Sequence, residues 1–508
     1  MISLARKMSF VCLFALFLYS GGSIASEKEG NKEASGKLSP QSERCIGCHK
    51  LYTPGIVSDW LTSRHSRTIP GEALKKPALE RRISAEVVDE SHSKYVVGCY
   101  ECHSLNQFDH KDNFDHMGFR INVVVSPNDC KKCHPAEVKQ FMGSKKYHAI
   151  KNLVDNPVYH ALVKTTTGVK RIEKGKIVAD DPSAETLQET CLSCHGTNVT
   201  VKGLKKVKTK IGDITVPDLA NWPNQGVGRL NPDGSFGACT SCHPRHGFLI
   251  EVARKPYTCG QCHEEPDVPA FNVYKESKHG NIFSAVGKTW DFKNVPWRVG
   301  EDFKAPTCAA CHNSLLVSSD GSVISERSHD FGSRLWVRLF GLIYSHPQPR
   351  SGDTTIIKNK DGLPLPVTFS GELAADYLID KAEQEGRFKI MKGVCNSCHG
   401  VDWINGHFAK LENTIKETDK MTLAATALVS EAWEKGLEDK SNPFDETIEK
   451  MWIKQWLFYS NSIRYASAMT GAPDYAAFKN GWWYLSENLQ NMKDWIDLKK
   501  KAKGTEPK

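Results

Sequence analysis

Beyond residue 25 the sequence has no apolar run approaching 20 residues, little apolar periodicity before about residue 410, and no cysteine outside one recurring pattern. The first absence excludes a bilayer-spanning helix, since the most apolar stretch, Trp452 to Met469, is broken by Lys454, Gln455, Asn461 and Arg464. The second excludes a conventional side-chain core over most of the chain. A large excess of one charge is also missing: 67 Lys and Arg face 59 Asp and Glu. Without Arg6 and Lys7 the formal excess is +6, which calls for neither a nucleic-acid nor a membrane partner. The one stray cysteine, Cys12, lies in the apolar run Phe10 to Tyr19, behind Arg6 and Lys7 and ahead of Ser23-Ile-Ala25. That pattern predicts a secretory leader over residues 1–25, too short to span a membrane, and an exported mature chain in a periplasm or equivalent compartment.

What is present is a single motif, eight times over. Cys-x-x-Cys-His occurs at Cys45, Cys48 and His49; Cys99, Cys102 and His103; Cys130, Cys133 and His134; and Cys191, Cys194 and His195. It recurs at Cys239, Cys242 and His243; Cys259, Cys262 and His263; Cys308, Cys311 and His312; and Cys395, Cys398 and His399. Sixteen of the 17 cysteines are consumed in this way. Two thiols that form thioethers to a porphyrin edge, followed by an iron-ligating histidine, make the attachment site of c-type haem. A zinc knuckle or a redox dithiol explains one copy but not eight. The expectation is eight covalent haems, whose propionates would turn the small basic excess acidic. The densest basic run, Lys202, Lys205, Lys206, Lys208 and Lys210, reads as a solvated loop, a propionate neighbour or a docking site for a redox partner.

The predicted fold is mainly α, a multihaem cytochrome c with a stacked haem core and a C-terminal bundle of long helices. A flexible N-terminal tail at 26–40 precedes an octahaem-binding domain at 41–408. There stacked porphyrins replace core side chains, so the region should not fold without haem. A C-terminal helical domain at 409–500 follows, then a tail at 501–508. Three helices are expected, over Ile415 to Lys435, Asp445 to Met469 and Tyr475 to Lys501. Asn442-Pro443 and Gly471-Ala472-Pro473 supply the turns, and Ile448, Met451, Trp452, Gln455, Trp456, Tyr459 and Ile463 recur at helical spacing.

Of 19 histidines, eight belong to the motifs, leaving 65, 92, 110, 116, 148, 160, 246, 279, 329, 346 and 407. These 11 suffice for eight distal ligands, or for seven with one iron left open. A short internal repeat singles out three. Trp60-Leu-Thr-Ser-Arg-His65 follows the first motif, Tyr274-Lys-Glu-Ser-Lys-His279 follows the sixth, and Phe141-Met-Gly-Ser-Lys-Lys-Tyr-His148 is a looser copy after the third. His65, His148 and His279 are therefore expected as distal ligands, with His92, His160, His329 and His407 behind them. The count alone leaves open a pure electron carrier with every iron ligated twice.

The motif spacing resembles that of the octahaem hydroxylamine oxidoreductase family. So do Trp222-Pro-Asn-Gln-Gly-Val-Gly-Arg-Leu-Asn-Pro-Asp-Gly234, Cys242-His-Pro-Arg-His246, Ala253-Arg-Lys-Pro256, Gly341-Leu-Ile-Tyr-Ser-His-Pro347 and Arg464-Tyr-Ala-Ser-Ala-Met469. The resemblance runs from about residue 40 to 498. It implies a catalytic haem on Cys191, Cys194 and His195 with its opposite face open, and seven electron-carrying haems. It also implies a homotrimer in which a tyrosine of a neighbouring subunit is bonded to that haem. Tyr475 in Gly471-Ala-Pro-Asp-Tyr475 matches that position, with Tyr465 and Tyr484 as alternatives. A distal pocket of Asp, His and Tyr is implied, to which Tyr344 and His246 correspond. For the acid, Asp233 and Asp267 are the candidates, because Arg245 stands beside His246, and His246 serves equally as an axial ligand. The activity implied is oxidation of hydroxylamine to nitric oxide or nitrite, with electrons leaving to a small soluble cytochrome c. Hydrazine oxidation to dinitrogen, nitrite reduction and pure electron transfer are the alternatives.

Overall fold

The computed structural model describes residues 36–504. The leader at 1–25, most of the tail at 26–40 and the end of the tail at 501–508 lie outside the described residues. The chain is about 47% helical with few strands. Residues 40–400 are short helices joined by long irregular segments, with two-stranded hairpins and one three-stranded sheet among them. The shortness is dictated by the motifs. Cys99–His103, Cys191–His195 and Cys308–His312 are each one five-residue turn of helix, enough to put two thiols and a ring on one side. The sixteen motif cysteines are all free of disulfides.

The largest side-chain core is C-terminal, but the expectation that the preceding region has none fails: Tyr274, Phe283, Trp290, Phe292, Trp297 and Phe303 pack into a second core there. Helix Val401–Glu434 packs against Asn461–Met469 and Trp482–Lys503. Phe444, Ile448, Trp452, Trp456, Val429 and Met492 meet between these helices, all at or below 1% exposure. Full burial of each is worth about 1.5–3 kcal/mol. The first helix begins at Val401, earlier than the expected Ile415, because nothing after Gly400 breaks it; it runs continuously from the eighth motif. The second runs Thr447 to Met469 through a π-helical stretch at Lys454–Ser460. The third is divided into a π-helical turn, Tyr475–Lys479, and the helix from Trp482, with Asn480 and Gly481 between.

Arg464 ties this bundle to the segment before it. Its guanidinium is fully buried, donates to Thr418 Oγ1 (2.9 Å) and Leu339 O (3.1 Å), and pairs with Asp419, which also accepts from Ser345 Oγ (3.0 Å). The basic run lies on an exposed hairpin of Thr200–Thr209 and Gly212–Ala220, directly after the fourth motif. There Lys205 pairs with Asp218 at 2.8 Å.

Candidate haem-binding sites

In the motif turns the imidazole is fixed through its Nδ1. His103 Nδ1 donates to Asn122 O (2.7 Å), His195 Nδ1 to Ala149 O (3.0 Å), and His49 Nδ1 hydrogen-bonds Thr53 Oγ1 (2.8 Å). Nε2 is thereby left for iron, the usual division of labour in a metal-ligating histidine. Burial holds His65, His243 and His312 down to about 4, so each ring is neutral, as a ligand must be.

Distances between rings test whether haem fits. With metal–imidazole bonds of about 2.0 Å and each ring centre about 1.1 Å behind its nitrogen, two imidazoles on one iron stand about 6.3 Å apart. Four pairs have that spacing: His49 and His116 at 6.2 Å, His65 and His134 at 6.4 Å, His243 and His329 at 6.5 Å, and His279 and His399 at 6.1 Å. Each joins one motif histidine to one histidine outside the motifs. The ring spacing at these four positions is therefore that of a low-spin haem with two imidazole ligands. Among the described residues no imidazole faces His103, His195, His263 or His312 at that spacing. His246 lies near His103, whose charge, after burial, helps lower it to about 4 together with that of Arg245.

The thiols give the order of the motifs in space. Cys45 is close to Cys99, Cys102 to Cys133, Cys130 to Cys239, Cys242 to Cys259, Cys259 to Cys308, and Cys311 to Cys395. These neighbours form one line: first, second, third, fifth, sixth, seventh, eighth. The fourth motif stands off that line, with Cys194 beside Cys262 of the sixth.

At the fourth motif the backbone is tightly backed. Gly196 follows His195 at φ +100, and a Cβ there would lie 2.3 Å from Arg229 N, so only glycine serves. Val227 N donates to Cys194 O (2.9 Å) and Gly228 N to His195 O (3.2 Å), so the segment from Trp222 to Gly234 forms a floor under the motif. The surrounding charges are mostly positive: Lys146, Arg338 and, of opposite sign, Asp267 act on His195. Arg338 also acts on Tyr465, Lys145 and His346. Lys145 is half-buried and pulled down to about 7, first by desolvation and then by Arg338.

The predicted residues are distributed unevenly over this frame. Asp267 lies close to Cys191, Cys194 and His195, and burial raises its carboxyl. Asp233 instead accepts from Ser126 Oγ (2.6 Å) and Asn128 Nδ2 (3.1 Å). The Tyr344 hydroxyl is held in the C-terminal core by Phe369 O (2.9 Å) and Thr426 Oγ1 (3.0 Å). Tyr475 is 2% exposed, packed with Val273 and Ala466 of its own chain, and its hydroxyl is buried without a hydrogen bond. Tyr484 is partly exposed and stacks on Tyr459 at 5.7 Å. His92 is bound to Asp89 (2.6 Å), His148 Nε2 to Met142 O (3.1 Å), and His160 is exposed. His407 stacks on Trp403, which in turn stacks on His399.

Three residues gain weight that the sequence did not give them. His116 stands opposite His49. His346 holds Pro347 O with Nδ1 (2.6 Å) and buries Nε2 with no partner. Lys146 puts Nζ 2.8 Å from His263 Nε2. Nothing local in the sequence marks His116 or His346, but the internal repeat did carry a sign of Lys146.

Short helices carrying repeated attachment turns, with imidazoles paired at the spacing of one iron, define a protein that binds several c-type haems and moves electrons among them. Residues 234–322 match the family described as seven times multi-haem cytochrome CxxCH, and residues 129–214 match cytochrome c554 and c-prime. A solved structure described as a hypothetical multiheme protein is 43% identical, with a TM-score of 0.86, over 92% of this chain and 97% of its own. The chain belongs to the multihaem cytochromes c. A reducing HAO-like protein complex of Kuenenia stuttgartiensis shares the fold at 18% identity and a TM-score of 0.61, covering 92% of this chain and 86% of that one. A probable nitrite reductase-hydroxylamine oxidoreductase fusion protein of the same organism is 25% identical over 285 residues, 53% of this chain. The match spans about a quarter of that curated relative's length. Proteins of the multihaem c type are typically extracytoplasmic, and among the described residues no helix is long and apolar enough to cross a membrane.

Proposed function

We propose that the protein is an octahaem oxidoreductase that performs nitrogen redox chemistry at the haem of Cys191, Cys194 and His195. One observation carries this reading: the fourth motif alone stands off the line of motifs, joined through the sixth. A carrier iron wants two strong axial ligands, whereas a catalytic iron needs one face open to substrate. Hydroxylamine is the substrate, oxidised to nitric oxide or nitrite, and hydrazine is the alternative reductant. The haem supplies the redox chemistry and the protein supplies position and proton acceptors. Asp267, raised by burial and close to His195, is the acid–base group nearest the motif. His346, which shares Arg338 with His195, replaces His246 as the pocket imidazole, and Tyr465 replaces Tyr344 as the pocket tyrosine. His246 becomes the distal ligand opposite His103. Electrons leave through the line of the other seven haems to a small soluble cytochrome c outside the cytoplasm.

A second direction, reduction of nitrite, is favoured by two observations. Tyr475 is buried among residues of its own chain. The cations Arg338 and Lys145 around the fourth motif suit an oxyanion better than a neutral or protonated amine. One experiment separates the directions. In a crosslinked oxidising homotrimer, a denaturing gel stained for haem shows a band at three times the chain mass, and Tyr475→Phe removes it. A monomer band in the wild type, with nitrite consumed from a reduced dye and no hydroxylamine-dependent cytochrome reduction, assigns the reductive direction instead. If neither assay turns over, the catalytic reading fails and the protein is an electron carrier.

A further inference from the structure

The internal repeat has three copies, and the structure aligns them by their serine. Ser63, Ser144 and Ser277 are each buried to 2% exposure or less. Each closes a helix on an aromatic three residues earlier: Ser63 N donates to Trp60 O (2.9 Å), Ser144 N to Phe141 O (2.9 Å) and Ser277 N to Tyr274 O (3.1 Å). Each hydroxyl oxygen then accepts from the backbone three residues on, from Ser66 N (3.2 Å), Tyr147 N (3.4 Å) and Gly280 N (3.1 Å). The three turns are therefore one device, built on an aromatic anchor and a serine cap.

In two copies the residue two places past the serine is a histidine that faces a motif imidazole. His65 stands 6.4 Å from His134 and His279 6.1 Å from His399. In the third copy that place is Lys146, and His148 falls two residues later, with Nε2 turned to Met142 O. Lys146 occupies the ligand place in space as well as in sequence, because its Nζ lies 2.8 Å from His263 Nε2, on the nitrogen that would bind iron. No imidazole faces His263 among the described residues, and the charge of Lys146 is felt by Cys259 and Cys262.

We infer that Lys146 is the second axial ligand of the iron held by Cys259, Cys262 and His263, a primary amine where the sister turns supply an imidazole. Two nitrogens on opposite faces of one iron stand about 4 Å apart, so Nζ withdraws by roughly 1.2 Å to admit the metal. A four-carbon side chain makes that adjustment by rotation. The sixth motif is where the fourth joins the line, so every electron entering or leaving His195 passes this iron. Axial-ligand identity is one of the protein's levers on haem potential, which places Lys146 at the junction as its tuning residue. The inference rests on haem attachment and on no particular nitrogen substrate.

The test is spectroscopic and uses the mature holoprotein. Intact mass first fixes the haem count, and near-infrared magnetic circular dichroism of the oxidised protein follows. The expected result is an imidazole–amine charge-transfer band beside the bis-imidazole band. Lys146→His should move that intensity into the bis-imidazole band at unchanged haem count. Lys146→Ala should convert one haem to high spin, and the reduced variant should bind one more equivalent of carbon monoxide than wild type. Unchanged spectra and carbon monoxide stoichiometry in both variants overturn the assignment, even where substrate turnover falls. If neither variant matures, the wild-type spectrum decides alone, since a missing amine band refutes the ligand. Nitrogen assays that fail while the amine band is present count against the substrate reading only.

Discussion

Replacing Cys191 and Cys194 together by serine is expected to give a protein one haem lighter, with catalytic turnover lowered by at least about 100-fold. The remaining haems should still be reducible by dithionite and reoxidised by cytochrome c. The expectation follows from the position of the fourth motif, beside the sixth and off the line through the other seven. Removing a branch does not cut a line. The same change at the sixth motif, Cys259 and Cys262, should behave differently, because it severs the first, second, third and fifth motifs from the seventh and eighth. Intact mass and stopped-flow reduction of the two variants make the comparison. Turnover within threefold of wild type in the fourth-motif variant would move the chemistry to another iron.

His110→Ala is expected to cost about 3–5 kcal/mol of stability, although His110 touches no haem ligand. Its ring is fully buried between Asp112, at 3.1 Å from Nδ1, and Asp129, at 3.1 Å from Nε2. Both carboxylates have structural duties: Asp112 Oδ2 accepts from Val123 N and Val124 N, and Asp129 Oδ2 accepts from Ser126 N. Taking the imidazolium away leaves two buried anions facing each other with no cation between them. Burial alone would lower this imidazole, but the two aspartates outweigh it and raise His110 to about 10. Because the folded value lies above the unfolded one, the folded state binds the extra proton between about pH 6.5 and 10. The stabilisation is complete below about pH 6.5 and is lost as pH rises toward 10. Thermal unfolding of the oxidised holoprotein across that range should show wild type converging on the variant at the alkaline end. A constant gap between the two would mean that His110 contributes through packing and not through charge.

His110 also shows why histidine counting cannot assign ligands. Both its nitrogens are engaged by carboxylates, so it leaves the pool of distal candidates. His116 enters it from a position with no distinguishing neighbours. The looser copy of the repeat was legible in sequence, but its register was not. Reading it from its last histidine favours His148, while reading it from the buried serine favours Lys146, and only the hydrogen bonds of Ser144 choose between them. The C-terminal helices were legible because apolar residues recur at helical spacing there. The early start at Val401 and the π-helical stretch at Lys454–Ser460 were not, since both depend on what the helices pack against.

By itself the sequence determined where the haems attach, because thioether formation and proximal ligation are settled within five consecutive residues. It also determined that the last hundred residues carry a helical side-chain core, but not that Phe283, Trp290, Phe292, Trp297 and Phe303 build another before them. The tertiary structure decided which histidine faces which motif, that the fourth motif joins the line at the sixth, and that a lysine stands at that junction. These are matters of distant chain segments meeting: His65 faces His134, His243 faces His329, and Lys146 reaches His263. A five-residue motif binds its porphyrin wherever it is placed in the chain. The second ligand is chosen by how the chain returns on itself, and no local pattern records that.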